Sequence, residues 1–149
     1  MIEAVIERYL ARILAANKSN LDKLRKEYPD LASRLKKLVD GAITGQRREG
    51  QLIEAFREAA AATSSPTLRA AADRSRKAAL DLLKQVLRER SDEILRPDKE
   101  GAIEFAVAML AAGLEFAMRA RTISISDAAL RSELYEMLLT YLTSNGEAT

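Results

Sequence analysis

The segment 105–114 constrains the fold more than any other part of the sequence. It reads FAVAMLAAGL, ten residues without a charge or a hydrogen-bonding side chain, in a chain that is otherwise rich in charge. A helix that is apolar on every side must be covered on every side. Ten residues are too few to cross a bilayer, which takes about 20, and Glu104 and Glu115 flank the segment. We therefore expect one side of this helix to pack in the core and the other to meet a second copy of the chain.

Composition narrows the class of function. The 149 residues fit one domain, and a net charge of +2 is too small to indicate a nucleic-acid partner. The sequence contains neither Cys nor His, which excludes disulfides, thiol nucleophiles and most hydrolytic triads and zinc sites. It also has no Gly-rich phosphate loop and no carboxylate pair in an apolar setting, so we predict no enzyme activity, no cofactor and no metal. Without an apolar signal segment, a cytoplasmic protein with no membrane contact is the simplest expectation.

Breaker residues divide the helical periodicity of the chain into six segments. Tyr28-Pro29-Asp30 and Arg96-Pro97-Asp98 each end one helix and cap the next, because the residue before proline avoids helical geometry. Gly45 and Gly50 mark a further end, and Ser65-Pro66 a further start. The predicted fold is all-α. Its six helices are a long one ending near 28, one from 31 to about 44, a short one around 52–59, one from 66 to about 90, one from 98 to about 121 and one from 128 to about 144, with 122–127 as an extended connector.

Three groups of residues stand in an order and spacing that is known from one family. They are IEAVIERYL at 2–10; RPD at 96–98 with AIEFA at 102–106 and Met109-Leu110; and ISD at 125–127 with Leu130, Leu134, MLL at 137–139 and Tyr141-Leu142. In this order they resemble the connecting helix, the first dimerisation helix and the closing helix in the C-terminal regulatory domain of TetR/AcrR-family transcriptional regulators. The resemblance covers nearly the whole chain.

The resemblance implies an effector-binding and dimerisation domain over 1–149. The family's helix-turn-helix module has no counterpart here, since Met1 falls about where the connecting helix begins. DNA contact is therefore expected only through a domain absent from this chain. In the family, an effector moves the connecting helix and changes the separation of the two DNA-binding modules. We expect the stripe 6–13 to transmit this movement.

For the dimer interface, the resemblance and the apolar segment agree. Two helices from each of two subunits would form an intermolecular four-helix bundle that buries about 2,000 Å² or more. Small residues would allow close approach and large ones would fill the seam. The alternative is that the last two helices are ordinary core of a monomer. The predicted interface residues are Ala108, Ala112, Gly113, Phe116, Tyr135, Leu138, Leu139 and Leu142.

For the effector site, the resemblance implies a cavity inside the domain. Most of the matching residues are hydrophobic, which suits a largely apolar or aromatic small molecule. Asn17 and Ser75 join them because each lies on an apolar stripe, where an unpaired polar group costs about 1–3 kcal/mol. A backbone carbonyl one turn back is the alternative partner for both. The predicted ligand-binding residues are Tyr9, Ile13, Asn17, Leu38, Phe56, Ser75, Leu83, Val86, Phe105 and Met109.

Two other functions compete with this hypothesis. The first is a stand-alone helical homodimeric interaction module with no ligand and no role in DNA binding. The second is direct nucleic-acid binding through basic runs such as 23–26, 34–37 and 74–77. Acidic residues interleave with these runs and no aromatic residues alternate with them, so solvated helical faces are the favoured interpretation.

Overall fold

The computed structural model describes residues 2–62, 65–119 and 125–145, and within them the chain is all-α, as predicted. Five α-helices cover most of these residues, and a single 3-10 turn at Ser91–Glu93 precedes the fourth. The α-helices are α1 (Ile2–Glu27), α2 (Leu31–Ala62), α3 (Pro66–Arg88), α4 (Lys99–Arg119) and α5 (Asp127–Thr143). The predicted connector lies partly outside the described residues; its last two, 125 and 126, are extended. No helix in the described part of the chain is both long and apolar enough to cross a membrane.

Four helix starts follow the capping residues of the sequence. In each case a side-chain oxygen accepts a hydrogen bond from a backbone N–H in the first turn, which would otherwise have no intrahelical partner. The pairs are Asp30 with Ser33 at 3.0 Å, Ser65 with Leu68 at 3.4 Å, Asp98 with Gly101 at 2.9 Å and Ser126 with Ala129 at 3.2 Å. The four predicted helix starts are therefore confirmed, and each depends on a capping contact within one helical turn.

The predicted break between Gly45 and Gly50 is wrong. Helix α2 runs without interruption from Leu31 to Ala62. Each glycine costs about 0.5–1 kcal/mol relative to alanine inside a helix, which tertiary contacts on both sides of it can offset. Ile43 lies fully buried just before the glycines, and Arg47 between them donates to the Asp127 carboxylate of α5, with Nη2 2.6 Å from Oδ1.

The main core fills one end of the molecule. The last turns of α1 and α3, the first half of α2, and helices α4 and α5 contribute to it. Its least exposed large side chains are Leu31, Leu35, Val39, Ile43, Val86, Ile94, Ile103, Leu138 and Leu142. A second, small cluster joins Ile6, Leu10, Phe56 and Leu68 at the opposite end. The first half of α1 is therefore held by far less buried apolar surface than the rest of the fold.

Arg34 joins three helix ends under the main core. Within the described residues it is the one charged residue that is buried, at 6% exposure. Its Nε donates to the Tyr28 carbonyl at 2.8 Å, and its Nη1 donates to the Val86 carbonyl at 3.1 Å and to Glu89 at 3.0 Å. Both carbonyls belong to helix C-termini, where the last acceptors lack intrahelical donors and a cation is favoured. Arg34 thus ties the C-terminal ends of α1 and α3 to the first turn of α2.

The continuity of α2 can be tested with Gly45→Ala. A Cβ at Gly45 would have no heavy atom within 4 Å, so alanine should raise the unfolding free energy by about 0.5–1 kcal/mol in urea denaturation. At Gly113 a Cβ would lie 3.0 Å from Leu134 Cδ2, so Gly113→Ala serves as the control and should show no such gain. Destabilisation by Gly45→Ala would contradict a continuous helix.

The role of Arg34 can be tested with Arg34→Met, which keeps the apolar stem. We expect a loss of about 2–4 kcal/mol in unfolding free energy, because the buried Val86 carbonyl and the partly buried Tyr28 carbonyl lose their donor. Arg88→Met is the matched control: it removes an ion pair to Glu100 in which both side chains are about half exposed, 49% and 60%. The control should lose much less. Equal losses in the two variants would show that the Arg34 contacts stabilise the fold no more than an exposed ion pair does.

Candidate dimerisation face and effector site

Helix α4 is apolar on both sides, but only one side is covered within a single chain. The inward side consists of Ala102, Ile103, Ala106, Val107 and Leu110, all buried. On the opposite side, Phe105 is 49% exposed and Phe116 is 62% exposed, with Ala108 and Ala112 exposed between them. This stripe follows the spacing of one helical face. The all-round apolar character of 105–114 therefore has a structural counterpart in one covered and one open face.

Helix α5 extends this open surface. It packs antiparallel to α4, as shown by the contact of Phe105 with Tyr141, whose ring centroids lie 4.9 Å apart. Met137 of α5 is 43% exposed. At the end of the surface the Arg96 guanidinium stacks on the Tyr141 ring, 4.3 Å from its centroid, and fixes the orientation of that ring. We name the set Phe105, Ala108, Ala112, Phe116, Met137 and Tyr141 the α4–α5 face.

The structure places the eight predicted interface residues in two environments. Ala108, Ala112 and Phe116 lie on the α4–α5 face, whereas Tyr135 and Leu139 are half-buried. Leu138 and Leu142 are buried inside the chain, at 2% and 0% exposure, so they are not surface residues of one subunit. They continue a four-residue stripe with Leu130 and Leu134 that points into the core. Apolar residues lie on more than one side of α5, so its sequence does not indicate which side faces inward. Met137 and Tyr141 lie on the outward side.

Gly113 also has a different role from the predicted one. A Cβ at this position would lie 3.0 Å from Leu134 Cδ2, which is tighter than an ordinary contact. The glycine therefore permits close approach of α4 and α5 within one subunit. Substitution of Gly113 would disturb the fold of the subunit itself, so it cannot report cleanly on contact between subunits.

The ten predicted effector residues are distributed over several places. Tyr9 meets Phe56 of the small cluster edge to face, with ring centroids 5.1 Å apart. Leu38 and Val86 are buried in the main core, and Leu83 and Met109 pack against it. Ile13 and Ser75 are half-buried, and Phe105 lies on the α4–α5 face. Asn17 is exposed, so the argument that it interrupts an inward-facing stripe does not hold.

Two titratable groups near these features have shifted pKa values. Burial, with a smaller contribution from the negative charge of Glu49, raises the pKa of the Tyr9 hydroxyl. The phenol therefore stays neutral and can donate a hydrogen bond at the small cluster. Hydrogen bonds from Arg47 lower the pKa of the Asp127 carboxyl. The carboxylate that ties α5 to the middle of α2 is therefore held in its charged form.

Sequence reasoning missed a groove between α1 and α3. It has a volume of about 260 Å³ and is open to solvent. Its lining consists of Glu7, Leu10, Ala11, Leu14, Ala71 and Arg74. None of these six was predicted to bind the effector, because leucine and alanine at helical spacing are typical of packing, although three of them lie in the predicted transmitting stripe 6–13. The available signal was a pair of small residues, Ala11 and Ala71, on helices that the fold sets side by side.

Comparison with known proteins identifies the family. Residues 30–142 match the family model described as tetracyclin repressor-like, C-terminal domain. The match covers well over half of the chain and includes α4 and almost all of α5, hence the whole α4–α5 face. No curated protein and no solved structure gives a significant match. The chain therefore belongs to the TetR-like C-terminal domain family, a family of all-α regulatory domains that are generally not enzymes.

Proposed function

We propose that this chain is the effector-sensing and dimerising part of a TetR-like transcriptional regulator and that it works as a homodimer. The observation that carries the proposal is the α4–α5 face. Phe105, Phe116 and Met137 are three of the six large hydrophobic residues that are exposed in the described part of the chain. Their concentration on two adjacent helices is typical of a surface that another protein covers.

A second copy of the chain fits this face better than an unrelated partner. The six residues of the face carry no formal charge, so two copies can meet around a two-fold axis without burying like charges against each other. Ala108 and Ala112 lie between the two phenylalanines and allow close approach of helices, while Phe105 and Phe116 supply bulk at the two ends. Two pairs of antiparallel helices would then form a four-helix bundle.

For the effector, the end of the molecule with the small cluster is the favoured region. There the first half of α1 meets the last half of α2 and the first half of α3, with little buried surface. A small, largely apolar molecule would add the missing apolar contacts, and the Tyr9 hydroxyl offers a neutral hydrogen-bond donor. Its binding would control DNA binding by a helix-turn-helix domain outside this sequence.

Helix α1 is suited to transmit the signal because its two ends are held unequally. Its C-terminal end is fixed by Arg34 and by Arg25, whose Nε lies 2.8 Å from Glu89. Within the described residues, its N-terminal end is held by an exposed hydrogen bond from Ser65 to Glu3 at 2.9 Å, by the small cluster and by the contact of Tyr9 with Phe56. A ligand that binds one position of α1 tenfold better than another biases the two by about 1.4 kcal/mol.

The homodimer is tested with Phe116→Arg. Phe116 is 62% exposed in one chain, so arginine is compatible with the fold of the subunit but places a charge in the proposed bundle. We expect a dimer for the unmodified protein and a monomer for Phe116→Arg in sedimentation velocity at micromolar concentration. Val5→Arg is the matched control, since Val5 is 60% exposed but lies at the other end of the molecule. It should remain a dimer.

Two results would contradict the dimer. An unmodified protein that sediments as a monomer at these concentrations leaves the α4–α5 face without a second copy. A Phe116→Arg variant that remains a dimer places the interface elsewhere. Circular dichroism of all three proteins checks that the helical content is unchanged.

Movement of α1 is tested by pulsed electron resonance on the dimer. The sequence has no cysteine, so a single Ala4→Cys variant can be spin-labelled at the start of α1. A compound that raises the melting temperature, found in a thermal-shift screen of small apolar and aromatic molecules, should change the distance between the two labels. Labels at Lys26→Cys, on the fixed end of the same helix, should move less. Failure of every compound to stabilise the protein, or equal shifts at both positions, would contradict the proposal.

A further inference from the structure

We propose that the groove between α1 and α3 is the effector site and that it binds a small monocarboxylate with a short aliphatic or aromatic body. This inference rests on the effector-sensing role proposed above and specifies both the place and the chemistry of the ligand. It also changes the expected ligand from a largely apolar molecule to one with a single negative charge.

The groove results from the way α1 and α3 are held apart. The two helices run parallel, and contacts join them on both sides of the groove. Ser65 bonds to Glu3 and Leu68 packs with Ile6 at one end, and Arg25 pairs with Glu89 at the other. Between these contacts, Ala11 and Ala71 provide side chains too short to fill the space. The end beside Arg25 and Glu89 is the firmer of the two, whereas the end beside Ser65 and Glu3 can shift when a ligand binds.

The volume limits the size of the ligand. A water molecule occupies about 30 Å³ of the liquid, so about 260 Å³ corresponds to roughly nine waters. A ligand that fills the groove therefore has roughly eight to ten non-hydrogen atoms. This is below the usual range for drug-sized molecules, and because the groove is open to solvent, a larger ligand would leave part of its surface outside the groove.

The side chains that line the groove determine which class of ligand it can bind. Leu10 and Leu14 are half-buried and Ala71 is buried, so they form an apolar surface. Arg74 provides the only cation of the lining and Glu7 the only anion. Within the described part of the chain, neither side chain has a hydrogen bond or an ion pair. A guanidinium without a side-chain partner can bind a carboxylate through two parallel hydrogen bonds.

Surrounding charges favour a monoanion. The helical segments that border the groove, 7–14 and 69–77, have an excess of basic residues, which attracts an anion from solution. They contain Arg8, Arg12, Arg69, Arg74, Arg76 and Lys77 against Glu7 and Asp73. Glu7 lies in the lining itself, so it would repel a second carboxylate on the same ligand. The groove therefore favours one negative charge near Arg74 and none near Glu7.

The groove is continuous with the region that the proposed signal uses. Leu10 belongs both to the groove lining and to the small cluster that holds the first half of α1. A ligand between Leu10 and Ala71 would bridge α1 and α3 at the part of α1 that is least fixed. Occupancy of the groove would thereby change the position of α1 relative to α3.

Octanoate, with ten non-hydrogen atoms, is the probe for this site. In isothermal titration calorimetry on the full chain, octanoate should bind at least tenfold more tightly than octan-1-ol or octylamine. Arg74→Gln should weaken octanoate binding at least tenfold and leave octan-1-ol unchanged. Arg69→Gln, an exposed arginine on α3 outside the lining, is the control: it removes the same charge from the surroundings and should weaken octanoate binding much less than Arg74→Gln does. Glu7→Gln should improve binding of octanedioate, which carries the second carboxylate.

A second variant separates loss of the site from loss of the fold. Ala11 is an exposed residue of the groove lining, so Ala11→Leu should fill the groove without disturbing the packing of the core. We expect it to abolish octanoate binding while helical content and sedimentation stay unchanged. Octanoate binding that survives both Ala11→Leu and Arg74→Gln, or no octanoate binding by the unmodified protein, would overturn the inference.

The experiments distinguish an incorrect assignment of the groove from an incorrect proposed function. If octanoate does not bind but another compound from the thermal-shift screen stabilises the dimer and moves the Ala4 labels, the effector-sensing role stands and only the groove is excluded. If no compound binds and the protein sediments as a monomer, the proposed function itself is wrong.

Discussion

The buried guanidinium of Arg34 is the interaction on which the arrangement of the first three helices depends. A charge with 6% exposure is tolerated only where each donor has an acceptor. Arg34 meets this condition by binding the terminal carbonyls of α1 and α3 and the carboxylate of Glu89. Glu93 completes the junction by accepting from the Leu31 N–H at 2.9 Å, an N–H of the first turn of α2. Three helix termini therefore share a compact polar junction against the main core.

This junction gives the molecule one firm end and one loose end. Near Arg34, the helices are held by buried polar contacts and by a core that includes Leu31, Val86 and Ile94. At the other end, the first half of α1 depends on the small cluster and on an exposed hydrogen bond to Glu3. Local stability follows the number of buried contacts, so α1 should be the part of the fold most easily displaced. The groove lies beside this displaceable half, where a ligand can contribute a large share of the binding contacts.

The sequence predicts local features of this fold well and long-range ones poorly. Capping oxygens such as Asp98 and Ser126 act within one turn, so the helix starts were correct. Gly45 was misleading because the free energy that a glycine costs inside a helix is smaller than the stabilisation from the contacts that Ile43 and Arg47 make with distant residues. The all-round apolar character of α4 is visible in the sequence, whereas the side of α4 and of α5 that faces outward depends on how the helices pack. The groove was not predictable, since it is a space set by contacts 62 or more residues apart in the chain.

Helix α3 connects the groove to the α4–α5 face. It lines the groove with Ala71, contributes Val86 and Leu87 to the core shared with α4, and pairs with α4 through Lys84 and Glu104. The Glu104 side chain of that ion pair is 63% exposed, so the buried apolar contacts contribute more to the link than the ion pair does. In the proposed dimer, the partner subunit would fix the position of α4. The core that α3 and α4 share would fix α3 relative to α4. The first half of α1 would then be the part that moves when the groove is filled, because its C-terminal end is held by Arg34 and Arg25. This movement would occur relative to α3 and α4, whose positions are fixed in both subunits.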